Sequence, residues 1–393
     1  MKYMVQLLRY TKKIILRIVL YPFKVLPTKK NRILLHNDLG RNYSCNLKSI
    51  AEYITSNYSG QFEIIYSVKA PNKYRYLRDK GIHPIAFNSF QYFYYAMTAK
   101  VFVTNSGGHG YIPLKKKQYV INTHHGGGAY KTCGKDMFED TYLFRKDLEL
   151  SSKQTNVFLS TNTKFTEVVS NAIYMPKKFF WEIGMPRNDV LINGNEEKKK
   201  CIRREIGLNS KDKLVLFAPT YRKIDNNYFK NTISISYGID CDRVCSALRT
   251  RFGGNWRFAF RLHPCVENRD KLPSEHVLDL SDYEDMQDLL LIADVMINDF
   301  SSSMWDFMLT RRPSFLFAVD LKEYIETTKV YTPVSEWPFP TATNNDELEK
   351  NILLFDEEKF KKDCEKHYIS LGGCETGKAT KLVCERIKEV CGI

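Results

Sequence analysis

Short apolar runs recur along this chain, each ending in a polar, glycine-rich or serine-rich turn and each separated from the next by a segment of helical periodicity. In the first half, 32–36, 62–68, 101–105 and 118–123 read as strands. Segments 46–57 and 90–99 read as helices between them, with a short helix over 74–79 that ends at Gly81. The rhythm is mixed over 138–200 and then restarts. Segments 214–218, 257–262, 277–280, 295–298 and 315–319 read as strands, 242–251 and 286–292 as helices, and a further helix begins at Ser301. The last stretch, 346–390, is largely helical. Strands alternating with helices predict βα units and parallel sheets. A chain of 393 residues is too long for one ordinary core, so the expected fold is α/β, with two Rossmann-like domains facing a cleft. No internal repeat or low-complexity tract interrupts this plan.

The amino terminus follows a different pattern. No acidic residue occurs from Met1 to Arg32, whereas Lys2, Arg9, Lys12, Lys13, Arg17, Lys24, Lys29 and Lys30 are basic. Met4, Leu7, Leu8, Ile14, Ile15 and Ile18 recur at helical spacing, with the cations mostly on the other side. Ile14 to Phe23 is the longest apolar stretch. Arg17 and Pro22 interrupt it, and it is too short to span a bilayer. No small-residue cleavage site follows, which disfavours a signal peptide. The expectation is a basic amphipathic helix lying on an anionic membrane surface, with an ordinary docking helix as the alternative. The expected division is a membrane-associating segment over 1–30, an acceptor-side α/β domain over 31–200, a donor-binding α/β domain over 201–370 and a C-terminal helix over 371–393.

Composition sharpens the choice of partner. Lys and Arg total 59 against 45 Asp and Glu, a net charge of +14, which suits an anionic ligand, polymer or membrane. The ten cysteines form no framework, and Cys241 with Cys245 lacks a second pair at metal-ligand spacing, so a zinc site is not expected and a reducing compartment is.

Ligands of open parallel sheets collect beyond the carboxyl ends of the strands. Four strand ends carry candidate chemistry. After 295–298 come Asp299, Phe300 and the serines Ser301, Ser302 and Ser303, whose hydroxyls and first-turn N–H groups make an anion site; a plain cap needs only one serine. Arg261, Leu262, His263 and Pro264 close another strand. Proline keeps His263 extended, where it can hold a phosphate or donate to a leaving group, although a structural histidine serves equally on local evidence. Thr123, His124 and His125 precede Gly126, Gly127 and Gly128, with Lys131 downstream. Glycines let backbone approach a ligand, and a histidine titrates near neutral pH. The run is neither a Walker loop nor a GxGxxG turn, and loop flexibility alone is the alternative. Ala218, Pro219, Thr220, Tyr221 and Arg222 end the fourth strand, where Arg222 is a candidate phosphate clamp.

Together these elements resemble the CDP-glycerol glycerophosphotransferase family of teichoic-acid and capsule biosynthesis. That family's signature has a His-Gly loop followed by lysine, an Ala-Pro-Thr-aromatic-Arg strand end, an Arg-Leu-His-Pro turn and an Asp-aromatic-Ser-Ser helix start. Here these are His125-Gly126 with Lys131, Ala218–Arg222, Arg261–Pro264 and Asp299–Ser302, within a likeness covering roughly 30 to 370. The resemblance implies a GT-B-like fold, with the acceptor at the first domain and a CDP-linked donor at the second. It implies that His125 is the base on the acceptor hydroxyl and that His263 stabilises the transferred or leaving phosphate. Ser301 and Ser302 bind the pyrophosphate, with Arg261, Thr220, Arg222 and Asp299 on the donor side and Gly126, Gly127 and Lys131 on the acceptor side. The implied partners are CDP-glycerol or CDP-ribitol and a lipid-linked or polymeric acceptor. The implied place is the cytoplasmic face of a bacterial membrane. His124 replaces the usual aromatic, and Gly-Gly-Gly-Ala replaces a common Gly-Thr-Pro; both departures fall on the acceptor loop.

Charge alone accounts for the chemistry, since attack on a phosphodiester builds negative charge that histidine, arginine and helix N–H groups stabilise. No Asp-x-Asp carboxylate pair stands at a strand end, so no metal and no cofactor is expected. A GT-B glycosyltransferase using a nucleotide sugar is the second reading. The third is a non-enzymatic anionic-polymer-binding protein. A nucleic-acid partner is not expected, because the marked residues gather at strand ends instead of interleaving aromatics with cations on one surface.

Overall fold

The structure, a computed structural model, describes residues 2–37, 40–220, 238–262 and 277–393. The chain forms two compact units, 1–189 with 371–393 and 190–370. The division falls at Asp189, upstream of 200, and the C-terminal segment belongs to the first unit.

The first unit is built on a seven-stranded sheet in the order β3-β2-β1-β4-β5-β6-β7. The strands are β1 (Lys29–His36), β2 (Glu63–Val68), β3 (Ile82–Ala86), β4 (Ala99–Thr104), β5 (Tyr119–Asn122), β6 (Val157–Ser160) and β7 (Phe180–Glu182), all paired in parallel. Ile33, Leu34 and Leu35 of β1 are fully buried because both faces of the sheet are covered. Side chains alternate along a strand, so Ile33 and Leu35 join Leu47, Ile50 and Ile54 of helix Cys45–Asn57 and Val383 and Ile387 of helix Ala379–Cys391. Leu34 points the other way, into Tyr92, Ala96 and Met97 of helix Phe90–Thr98. The Asp189 carboxylate caps helix Ala379–Cys391, accepting from the N–H groups of Ala379 (3.1 Å) and Thr380 (2.7 Å).

The second unit repeats the plan with six strands in the order β10-β9-β8-β11-β12-β13. They are β8 (Asp212–Phe217), β9 (Asn255–Phe260), β10 (Leu278–Asp279), β11 (Val295–Asn298), β12 (Ser314–Phe317) and β13 (Thr341–Ala342). Leu214 and Leu216 pack with Leu289, Leu290 and Ile292 of helix Met286–Ile292 and with Ile202 of helix Glu196–Glu205. In each sheet the strand order reverses once, between β1 and β4 and between β8 and β11. These switch points open crevices at the carboxyl ends.

Helix Lys2–Leu20 packs on the first unit through Lys13 and Arg17, while Arg9 and Lys12 stay exposed. Lys13 bonds Asp147, Arg17 donates to the carbonyls of Gly110 and Ile112, and Thr141 donates to Gln6. Met4, Leu8, Ile15 and Ile18 stay exposed, each more than half accessible. Among the described residues no helix is long and apolar enough to cross a membrane.

Candidate active site

In the first unit the site is built beyond β1, β4 and β5. His124 adopts φ +52°, a left-handed conformation that breaks the alternation of a strand end. Adjacent side chains at a strand end ordinarily point to opposite sides. Here instead the His124 and His125 rings stack, with centroids 4.8 Å apart and planes at 20°. His124 packs inward against Phe158 and Phe165, its Nδ1 lying 2.8 Å from the Gly126 carbonyl. Desolvation, reinforced by the neighbouring His125 charge, pushes its pKa down to about 3, so it stays neutral at physiological pH. His125 is exposed, and its Nδ1 lies 2.9 Å from the carbonyl oxygen of Asn105, just past β4. A carbonyl only accepts, so Nδ1 carries the proton and Nε2 presents its lone pair outward.

The glycine run is sterically required. A Cβ on Gly127 would stand 2.8 Å from Thr161 Cγ2, and Gly128, at φ +93°, would drive one into the Tyr130 ring. The Gly128 N–H donates to Thr161 Oγ1 at 3.1 Å, tying the loop to the end of β6. Gly126 and Gly127 are partly exposed on this loop, and Lys131 is exposed beyond it.

In the second unit Thr220, Arg261, Asp299, Ser301 and Ser302 gather at the carboxyl ends of β8, β9 and β11. Asp299 is buried beside the switch point, and its Oδ1 accepts from the N–H groups of Thr220 (2.7 Å) and Phe300. It thereby staples the loop after β8 to the loop after β11. Ser303 is turned inward, its hydroxyl accepting from Asn298 Nδ2 at 3.0 Å and lying 3.1 Å from Ser301 Oγ. Helix Ser303–Met308 thus starts two residues after Ser301, and Ser302 stands exposed at its start. The Ser301 and Ser303 hydroxyls thus meet, and Ser303 is held to the strand end by Asn298. Arg261 turns toward Met286 Sδ (3.1 Å). Desolvation lowers its pKa, partly offset by the Asp285 and Asp288 carboxylates. Arg222 and His263 lie outside the described residues. Among the described residues no group of three or more His, Cys, Asp or Glu is placed to hold a metal ion.

The profile of the CDP-Glycerol:Poly(glycerophosphate) glycerophosphotransferase family matches residues 19–389, nearly the whole chain. The chain belongs to this family. A teichoic acid glycerol-phosphate transferase of Staphylococcus aureus is 25% identical over 390 residues, covering 96% of this chain and 98% of that protein. A teichoic acid poly(glycerol phosphate) polymerase of Staphylococcus epidermidis is 28% identical over 374 residues. That match takes in 90% of this chain, and the chain spans about half (50%) of the polymerase's length. Among solved structures, a histidine-to-asparagine variant of the wall teichoic acid polymerase TagF, soaked with CDPG, superposes with a TM-score of 0.82 at 26% identity. The superposition covers 99% of this chain and 98% of that one. Relatives also include a ribitol-phosphate polymerase of Staphylococcus aureus, 28% identical over 236 residues, 56% of this chain and 39% of that protein.

Several residues that hold the histidine loop were not found by strand-end reasoning. Arg187, buried, donates from Nη1 to the His125 carbonyl at 2.6 Å. Asn46 accepts from the Arg187 N–H (3.0 Å) and donates to the His124 carbonyl (2.9 Å). Asn105 donates to Asn37, which holds the turn after β1 through the Asn42 carbonyl at 2.7 Å. Glu375 accepts from Met185 N (3.0 Å) and Asn188 Nδ2 (2.7 Å), closing the turn that presents Arg187. The run Gly184-Met185-Pro186-Arg187-Asn188-Asp189, a proline turn just after an apolar strand, is the sequence signal that could have found them.

Proposed function

We propose that this chain transfers glycerol phosphate, or a related polyol phosphate, from a CDP-linked donor to a lipid-linked or polymeric acceptor of teichoic-acid or capsule-like polymer synthesis, releasing CMP. The observation that carries the reading is His125, whose Nδ1–H is committed to the Asn105 carbonyl while Nε2 remains open. Nε2 takes the proton of the acceptor hydroxyl. The hydroxyl oxygen bonds to the phosphorus that bears the polyol, and the bond from that phosphorus to the bridging oxygen breaks, so CMP leaves with that oxygen. Ser301, Ser302, Arg261, Thr220 and Arg222 offer donors to the donor's phosphates, and His263 stabilises the charge on the transferred or leaving group. Asp299 acts through Thr220, whose N–H it holds. Gly126, Gly127 and Lys131 form the acceptor side, and the paired doubly wound sheets support a GT-B-like reading.

The reading includes a peripheral place on the cytoplasmic face of the membrane. Helix Lys2–Leu20 commits Lys13 and Arg17 to protein and leaves Met4, Leu8, Ile15 and Ile18 open, as interfacial insertion requires. Deleting residues 1–25 is expected to abolish binding to phosphatidylglycerol vesicles while preserving turnover on a soluble acceptor; equal vesicle binding overturns this part. The central test is incubation with CDP-glycerol, CDP-ribitol and UDP-sugars in parallel, following nucleotide release. Turnover of UDP-sugars with none of either CDP-alditol would make the chain a glycosyltransferase.

A further inference from the structure

The second unit carries a basic cavity at the end of its sheet opposite the donor-side residues. Its walls include Asn209 and Ser210 before β8, Asp294 before β11 and Arg312 before β12, and it encloses about 810 Å³. Helix Glu196–Glu205 forms one side and lines it with Lys199, Lys200, Arg203 and Arg204. Lys199 with Arg203 and Lys200 with Arg204 are four apart, so two pairs of like charge sit one above the other on one face, a spacing that disfavours an isolated helix. Glu196 and Glu197 each pair with a lysine three residues on, at 2.8 and 2.9 Å. The Arg204 side chain makes no hydrogen bond or ion pair among the described residues and is exposed.

Arg312 supplies a fixed charge opposite this helix. Its guanidinium donates to the carbonyls of Leu290 (2.7 Å), Leu291 (3.2 Å) and Ala293, and burial pushes its pKa down to about 10, so it stays cationic at neutral pH. The two acidic groups in the lining are already engaged: Asp294 accepts from Leu214 N at 2.8 Å, and Glu196 holds Lys199. Five cations therefore line the cavity with two carboxylates; Lys199 and Lys200 are paired with Glu196 and Glu197, and Arg203 and Arg312 donate to neutral backbone carbonyls and keep their charge.

We propose that this cavity binds a phosphodiester polyanion, namely the body of the poly(polyol phosphate) chain whose end reacts at the donor side. This rests on the function proposed above. Cations one helical turn apart, about 5.4 Å, offer successive contacts to a flexible chain carrying regularly repeated phosphates. No aromatic side chain lines the cavity, so it lacks the stacking platform of a single-stranded nucleic-acid site. A concave basic surface without exposed apolar anchors also suits a threaded chain better than a flat lipid surface. The cavity opens where β8 begins and Thr220 follows where it ends. Six residues of strand separate them, about 20 Å at 3.3 Å per residue, so only acceptors long enough to reach both ends use the cavity.

The test uses the full chain carrying Lys200→Glu with Arg204→Glu, both exposed side chains, beside the neutral pair Lys200→Gln with Arg204→Gln. Fluorescent poly(glycerol phosphate) of several tens of units is titrated by anisotropy at two salt concentrations, with a thermal melt to verify folding. The charge-reversed variant is expected to bind about tenfold more weakly at low salt and to show a shallower salt dependence, with the neutral variant between. CMP release from CDP-glycerol on a single-unit acceptor stays within about twofold of the parent, while products from long acceptors shorten. Unchanged polymer binding overturns the proposal. So does weaker binding to phosphatidylglycerol vesicles with polymer binding intact, because the surface then serves lipid. If the parent chain releases no CMP but the variant still loses polymer binding, the cavity stands as a polyanion site and the proposed activity falls.

Discussion

Replacing His125 by alanine removes one exposed ring and little else that holds the loop. Arg187 bonds the His125 backbone carbonyl, and Asn105 contributes only a carbonyl, so both neighbours keep their places in the variant. Stability should change by about 0.5 kcal/mol or less, as for an exposed position. Turnover should fall by about 10²–10⁴-fold, equivalent to about 3–5 kcal/mol of transition-state stabilisation. CDP binding should not move, because the donor-side residues belong to the other unit. His124 calls for asparagine, which tolerates its φ of +52° and leaves the turn intact. That variant loses stacking on His125, Phe158 and Phe165, about 0.5–1.5 kcal/mol, and should lose about tenfold in rate at most. Single-turnover CMP release, CDP titration and rescue of His125→Ala by added imidazole make the assay. A severe loss for His124→Asn with a mild one for His125→Ala, or an imidazole-insensitive His125→Ala, would refute the assignment of the base.

Asp299→Ala should weaken CDP binding about tenfold, because Thr220 N–H loses its acceptor; Asp299→Asn keeps an oxygen there and should bind within about threefold of the parent, read by calorimetry. Asp189→Ala should lower stability in urea by about 1–2 kcal/mol and speed amide exchange in helix Ala379–Cys391, whose first N–H groups it caps. His36 and His109 are buried, and desolvation pushes their pKa values down to about 3 and about 4. The unfolded chain binds their protons below about pH 6.5 and the folded chain does not, so stability is full above that pH and is lost as pH falls toward 4, by roughly 2 kcal/mol per histidine at pH 5. Chemical denaturation at pH 7 and 5 measures this, and a His36→Asn variant should flatten the dependence.

Most strands that the sequence reveals are buried on both faces. Ile33 to Leu35, Leu214 to Phe217 and Val295 to Ile297 are unbroken apolar runs because helices cover both sides of their sheets. The strands it hides are short or peripheral. β3 is an edge strand containing Pro84, which an edge tolerates because a proline there removes no ladder bond from a second neighbour. β6, β7 and β13 have four residues or fewer, and their pattern is lost among the turns around them. The chemistry at strand ends was legible for a related reason: a polar cluster directly after an apolar run sits at a carboxyl edge in any parallel sheet. The network behind His125 was not. Asn46 meets Arg187 and Glu375 meets Asn188 over separations of 141 and 187 residues, and only the folded chain makes those contacts. The stacking of His124 on His125 was hidden as well, because it depends on one backbone angle.

The partner of His125 fits the phosphate-handling role proposed for this site. A carboxylate on Nδ1 would fix the same tautomer, but it would add negative charge where a pyrophosphate donor and an anionic acceptor must meet. The Asn105 carbonyl orients the imidazole as a neutral dipole and adds no such charge. The supporting shell follows the same logic, since Asn37, Asn46 and Asn105 are neutral and Arg187 is positive. The one carboxylate in the network, Glu375, stands behind the turn at Met185 and Asn188, one layer back from the ring. A loop arranged in this way orients the proposed base without setting negative charge beside it, as transfer between two anions requires under the function proposed above.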